Sequence, residues 1–216
     1  MFFFTACETL KTEQVRKLEE GRSATNRVVK TGNNITYIFP ADVSIQLRDS
    51  AIAMNEKSIQ ENLKLTKEKE FIDTSKFEFF HNRADMKLTT GRGVSGPAMP
   101  HQDAMYSLLN LSENSPIKHE MMHIISIKKW RYPNPSMVWM NEGLATYSGK
   151  ICEKDNFAGV YYYMLQNNHL EPIDRLTSDF YVTDEVVGDT QTTYITKYLS
   201  ETYGWQKVKA LWVGGF

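Results

Sequence analysis

Two short runs of β-branched and aromatic residues stand out along a chain that is otherwise patterned for helices. Ile35-Thr36-Tyr37-Ile38-Phe39 follows the turn signal Thr31-Gly32-Asn33-Asn34, is closed by Pro40, and predicts a strand. Lys76 to Phe80, Lys-Phe-Glu-Phe-Phe, predicts a second. Between them, residues 42–69 read as one long helix, because Ala51, Ile52, Ile59 and Leu63 fall on a single stripe and charges fill the rest. Strand, helix and strand in this order predict a small layer of helix on sheet. Gly91 to Pro100 carries three glycines and two prolines and predicts a loop or an irregular edge strand. From Ser115 onward the pattern is mostly helical. The fold class expected is α+β, a small mixed sheet with a helical C-terminal half.

Residues 8–30 are polar, with Leu10, Val15 and Leu18 the only large apolar residues before Val28 and Val29. They read as a marginal helix or a tether. The domains expected are therefore 1–32, a tether or the remnant of a signal, and 33–216, a single domain with no linker, repeat or low-complexity tract.

Composition narrows the function. Hydrophobic residues are 41% and charged residues 24% of the 216, which is globular and sufficient for a sizeable core. The formal net charge is -1, so no global positive field draws the chain to nucleic acid or acidic lipid. No apolar run approaches the roughly 18 residues a membrane helix needs. Cys7 and Cys152 are too few for a disulfide-stapled fold and too scattered for a cysteine zinc cluster. The opening residues, without Lys or Arg, do not make a complete signal peptide. Yet Phe4-Thr5-Ala6-Cys7 resembles the end of a bacterial lipoprotein signal. That resemblance implies a lipid on Cys7 and a place in the cell envelope; an ordinary N-terminus on a cytoplasmic protein is the alternative.

The chemistry is concentrated in Ser115-Pro116-Ile117-Lys118-His119-Glu120-Met121-Met122-His123. Ser115 suits an N-cap and Pro116 a first helical position, so a helix starts here for local reasons. His119 and His123 are then four apart on one face and can meet one zinc ion. Glu120, beside the first histidine, completes a helical His-Glu-x-x-His pattern in which the glutamate serves as general base. The plainer reading is two half-buried histidines making ordinary hydrogen bonds.

A catalytic zinc site needs a third protein ligand. The offsets that would carry a glycine and a third histidine hold Ser126 and Lys129. Glu142, 19 positions after His123, lies in Val138-Trp139-Met140-Asn141-Glu142-Gly143-Leu144-Ala145-Thr146-Tyr147. A helix from His123 to Trp130 runs roughly 10 Å, and Arg131-Tyr132-Pro133-Asn134-Pro135 must break it. A return arm from Ser136 brings Glu142 back level with the histidines. The competing account is an exposed helix charge.

These segments resemble the gluzincin zinc metallopeptidases, and among them the peptidase-MA-like group related to aminopeptidase N-type enzymes. The likeness is sharp over 115–149 and weaker in Glu171-Pro172-Ile173-Asp174-Arg175-Leu176 and Tyr198-Leu199-Ser200-Glu201-Thr202-Tyr203-Gly204. It implies a zincin-like fold with the sheet packed on the active-site helix. It also implies one Zn2+ held by His119, His123 and Glu142, Glu120 as general base toward a metal-activated water, and a peptide or protein substrate aligned on an edge strand within 91–100. Three departures qualify the likeness. Gly96-Pro97-Ala98-Met99-Pro100 lacks the acid that holds a free amine in aminopeptidase N-type enzymes, which favours an endopeptidase or an unusual specificity. Alignment on Tyr198-Leu199 puts Asp189 where the family offers an oxyanion-stabilising tyrosine; Tyr181 and Tyr194 are the nearby candidates, with His169 a third. Such domains also often run on into another helix past the position of Phe216. A catalytically weak or inactive zincin-like module that binds peptide or cell-envelope material is the rival expectation.

Four further features have plain readings. Lys128-Lys129-Trp130-Arg131 suits a helix C-terminus. Tyr161-Tyr162-Tyr163-Met164 reads as core rather than groove. His81 and His101 read as surface or turn residues, His101 near the cleft. Asn141 is either a support for the metal ligands or a packing residue.

Overall fold

The computed structural model describes residues 27–91, 98–109, 116–149 and 157–215. The fold is α+β. Five strands form one mixed sheet: β1 (Arg27–Gly32), β2 (Ile35–Pro40), β3 (Ser75–Phe80), β4 (Ala98–Met99) and β5 (Ala104–Leu108). Their order is β1-β2-β3-β5-β4, with β2, β3 and β5 parallel and the two outer strands antiparallel to their neighbours. The helices are α1 (Ile45–Thr66), α2 (Arg83–Thr90), α3 (Ile117–Trp130), α4 (Val138–Gly149), α5 (Phe157–Gln166), α6 (Ile173–Ser178), α7 (Glu185–Tyr203) and α8 (Trp205–Gly214). None is long and apolar enough to cross a membrane.

Period-two alternation sorts the strand side chains between two faces. Ile35, Tyr37, Phe39, Phe77, Phe79 and Met105 point to one face, where they bury Ala51, Ile59 and Leu63 of α1 together with Ile117, Met121, Ile124 and Ile125 of α3. The predicted stripe of α1 is thus its buried face, with Ile52 packed at the margin. Tyr37 adds direction to this contact, because its hydroxyl accepts a hydrogen bond from Asn55 Nδ2 at 3.0 Å. On the opposite face Phe80, Ala104 and Tyr106 pack on Met86 of α2. A second core fills the helical half and gathers all four tryptophans, Trp130, Trp139, Trp205 and Trp212.

The sheet differs from expectation at one edge and at one inner strand. It begins at Arg27, so residues 27–32 belong to it and not to a tether; Asn33 and Asn34, both at positive φ, make the hairpin turn. Residues 1–26, including Cys7, lie outside the described residues, as does Ser115. At the other edge, Ala98–Met99 forms the short outer strand that the 91–100 segment suggested. β5 was not expected at all. Its Ala-Met-Tyr-Ser-Leu run is buried on both faces between β3 and β4, so it lacks the half-exposed alternation that marks a strand in sequence.

Candidate metal centre

α3 carries two of the candidate ligands, and its partner α4 carries the third. Pro116 precedes the first turn and its carbonyl accepts from the Glu120 amide at 2.9 Å, so the helix is established before the first histidine. It stops at Arg131, whose φ of 73° is left-handed, and a 3-10 turn over Pro135–Met137 starts the return. Ser148 Oγ against the Lys118 carbonyl, Thr146 against His119 and Asn141 against His123 show that α4 runs back antiparallel along α3.

The two helices bring His119, His123 and Glu142 together. His119 Nε2 and His123 Nε2 are 3.1 Å apart, and Glu142 Oε2 lies 3.6 Å from the first and 3.3 Å from the second. Ligands held at 2.0–2.1 Å around a tetrahedral ion stand about 3.3 Å from one another. The three observed edges bracket that value, so the donor triangle has the size of one face of a zinc tetrahedron. The donor chemistry agrees as well. Asn141 Oδ1 is an acceptor 3.0 Å from His123 Nδ1, so Nδ1 carries a proton and Nε2 is the nitrogen that faces the triangle. Thr146 Oγ1 stands 3.5 Å from His119 Nδ1.

Electrostatics tie the three groups to one another. Burial pushes Glu142 up, but the two imidazoles more than offset this and hold its carboxyl far below the usual carboxylate range. Burial pushes His123 down, and Glu142, helped by Glu120 and Asn141, reverses the shift to hold it at about 9. Without a metal the ring is therefore protonated on both nitrogens at neutral pH, and an ion at Nε2 would displace the second proton.

Glu120 stands beside the triangle and not in it. Its Oε2 accepts from the Ala98 amide at 2.8 Å, so edge strand β4 fixes the carboxylate from above. Burial raises its pKa against the lowering effect of the two histidines and the amide. An open cleft of about 860 Å³ gives access to the triangle and to Glu120. Its walls include Ala98 and His101 from the sheet side, Tyr132 from the α3–α4 turn, and Tyr181 and Asp189 from the far side.

The tyrosine candidates separate. Tyr181 lies in a 3-10 turn over Phe180–Val182 and is 72% exposed, and its hydroxyl donates to Glu142 Oε1 at 3.4 Å. Burial of the hydroxyl and the Glu142 charge raise its pKa. Tyr194 does not line the cleft; its ring stacks on Tyr161 at 4.0 Å between centroids, packing α7 on α5. His169 also lies elsewhere, stacked on Tyr163. Asp189 lines the cleft, and burial together with the Glu142 charge pushes its carboxyl up to about 6.

The remaining features resolve simply. Lys128 pairs with Asp103 and Lys129 approaches Asp73 at 3.8 Å, so both serve the fold. Met164 is buried, whereas Tyr162 and Tyr163 are exposed, which corrects the reading of that run as core. His81 bonds Asp42 at 2.8 Å on the surface. Two contacts were not foreseen: the Ala98 amide on Glu120 and Thr146 beside His119. Thr146 is four residues past Glu142 and so on the same helical face, a spacing that could have marked it.

No protein-family model matches the chain, and no curated protein matches it significantly.

Proposed function

We propose that this chain is a zinc-dependent metallopeptidase of gluzincin type with a zincin-like fold, hydrolysing peptide bonds with Glu120 as general base. The observation that carries the reading is the triangle of His119 Nε2, His123 Nε2 and Glu142 Oε2, sized for one zinc face, with a half-buried glutamate next to it on an open cleft. A sheet packed on the helix that bears the histidines, with a short outer strand at the cleft, supports it further.

His119, His123 and Glu142 would hold the ion, whose chemistry there is that of a Lewis acid that acidifies water and polarises a carbonyl. Asn141 keeps the His123 tautomer that leaves Nε2 free to bind. Glu120 takes the proton from the attacking water; burial makes its carboxylate a stronger base than an exposed one, and the Ala98 amide holds it in place. The backbone of Ala98–Met99 offers an edge along which an extended peptide can pair. Tyr181, at the cleft wall with its hydroxyl on Glu142, would donate to charge developing on the carbonyl oxygen.

One experiment tests this directly. Protein purified without chelator should carry about one zinc per chain and cleave a fluorogenic peptide pool, and chelation should lower its melting temperature. Glu120→Gln should keep the zinc and lose turnover by about 10²-fold or more. Turnover equal to the parent's would remove Glu120 from the mechanism.

A second reading is favoured by one observation: Tyr194 stacks on Tyr161 of α5 and lies off the cleft. It is a catalytically weak or inactive module of the same scaffold that binds peptide or cell-envelope material. Zinc at one per chain without turnover, in parent and variant alike, is its signature.

A further inference from the structure

Apart from the imidazoles of His101, His119 and His123, the charged groups lining the cleft are all acidic. Glu120, Glu142, Asp184, Glu185 and Asp189 line it, and no lysine or arginine does among the described residues. A divalent ion at the triangle would offset two of those five charges. Three of the carboxylates have work of their own: Glu142 faces the histidines, Glu120 accepts from Ala98, and Asp184 caps α7 by accepting from the Val186 and Val187 amides. Glu185 sits in the first turn of α7, where an acid complements the helix dipole. Asp189 is different. It lies one turn further along α7, half-buried, and its carboxylate meets no cation or hydrogen-bond donor among the described residues. It lines the same cleft as His119, His123 and Glu142, with the imidazoles and the Glu142 carboxylate acting on it in opposite senses.

A half-buried carboxylate with no ion-pair or hydrogen-bond partner of its own is costly to desolvate, and a ligand that brings a cation into contact relieves that cost. Low-dielectric walls of a single sign also focus the field and raise the local concentration of oppositely charged ligand. We infer that Asp189 is a specificity-determining residue that selects peptides bearing a positive charge close to the scissile bond. The inference rests on the peptidase reading for the word scissile, but the selection itself is a binding property. The cation is an ammonium or guanidinium, whether from a basic side chain or from a free N-terminus.

The test measures binding without turnover. Zinc-loaded, full-length Glu120→Gln protein is titrated into fluorescently labelled octapeptides in which one lysine is walked through a neutral sequence, each paired with its acetyl-lysine twin and with N-acetylated and free N-terminal forms. At one position the lysine peptide should bind about tenfold tighter than its acetyl-lysine twin. Adding Asp189→Asn should bring that ratio below about threefold with zinc content and acetyl-lysine binding unchanged, whereas Asp189→Glu should keep the preference. If N-acetylation and not lysine acetylation abolishes tight binding, the cation is the terminal amine and Asp189 still selects it. Equal binding of all twins, or a preference that survives Asp189→Asn, overturns the inference. Turnover by the parent without any cation preference leaves the peptidase reading standing and ends this one; a cation preference lost with Asp189→Asn, in a parent that cleaves nothing, does the reverse.

Discussion

At the residue scale, much of the candidate centre depends on a few hydrogen bonds that orient the ligands. Asn141 holds a proton on His123 Nδ1, and it does so from the residue adjacent to the third candidate ligand, so one short stretch of α4 supplies both the carboxylate and the support for an imidazole across the gap. Removing such a support commonly costs 10–100-fold in metal affinity. Asn141→Ala should therefore weaken zinc binding by about that factor in a competition titration with a chromogenic chelator, with the melting temperature of the chelated protein little changed. An unchanged affinity would reduce Asn141 to a packing residue. The sequence made the candidate ligands legible at this scale but not their surroundings. Tyr181 and Tyr194 were equivalent candidates on paper, and only the packing of α7 on α5 took Tyr194 away to Tyr161 while the Phe180–Val182 turn left Tyr181 beside Glu142.

At the element scale, α4 lies unusually close to α7. A Cβ at Gly143 would meet the Thr192 carbonyl oxygen at 2.5 Å, its carbon at 2.7 Å and Thr196 Oγ1 at 2.8 Å. Two of these are backbone atoms, which cannot swing aside as a flexible side chain can. Gly143 therefore permits the helix contact that backs Glu142, its immediate neighbour. Gly143→Ala should destabilise the protein by about 2 kcal/mol or more through overpacking. For a chain of this length that is a melting-temperature drop of about 4–8 °C, measurable by calorimetry. Zinc affinity should fall with it, because α4 must shift away from α7. A variant that melts with the parent would show that the helices accommodate the methyl group. Elements themselves were read unevenly from sequence. α1, β2 and β3 carry their own periodicity. β1 is an edge strand with few apolar residues, and β5 is enclosed on both faces, so each is defined by what it pairs with and not by its own pattern.

At the scale of the whole molecule, stability against alkali should depend on the layer between sheet and α1. The Tyr37 hydroxyl is buried against Asn55, and burial pushes its pKa from 10.0 up to about 12. The folded state thus holds a proton that the unfolded chain releases earlier. The contribution is complete below pH 10 and is lost as pH rises through 12, amounting to roughly 3 kcal/mol. Urea midpoints should fall steeply between pH 10 and 12. Tyr37→Phe should flatten that fall, while costing about 1–3 kcal/mol at pH 7 because Asn55 Nδ2 is left without its acceptor. A parent curve as flat as the variant's would show that Tyr37 ionises without unfolding the chain.

What the sequence alone determined is local. An i, i+4 pair of histidines shares a helix face whatever surrounds it, a proline-rich turn must end that helix, and a carboxylate at matching distance on the return arm can come back level with the pair. Those consequences follow from 3.6 residues per turn and 1.5 Å of rise per residue. Tertiary structure decided the rest: the closing of the triangle to 3.1–3.6 Å, the Ala98 amide on Glu120, the strand order β1-β2-β3-β5-β4, and the acids facing the cleft from α7. Each of these joins segments far apart in the chain. Such contacts are selected by burial and helix packing over the whole fold, and no periodicity within either segment encodes its partner.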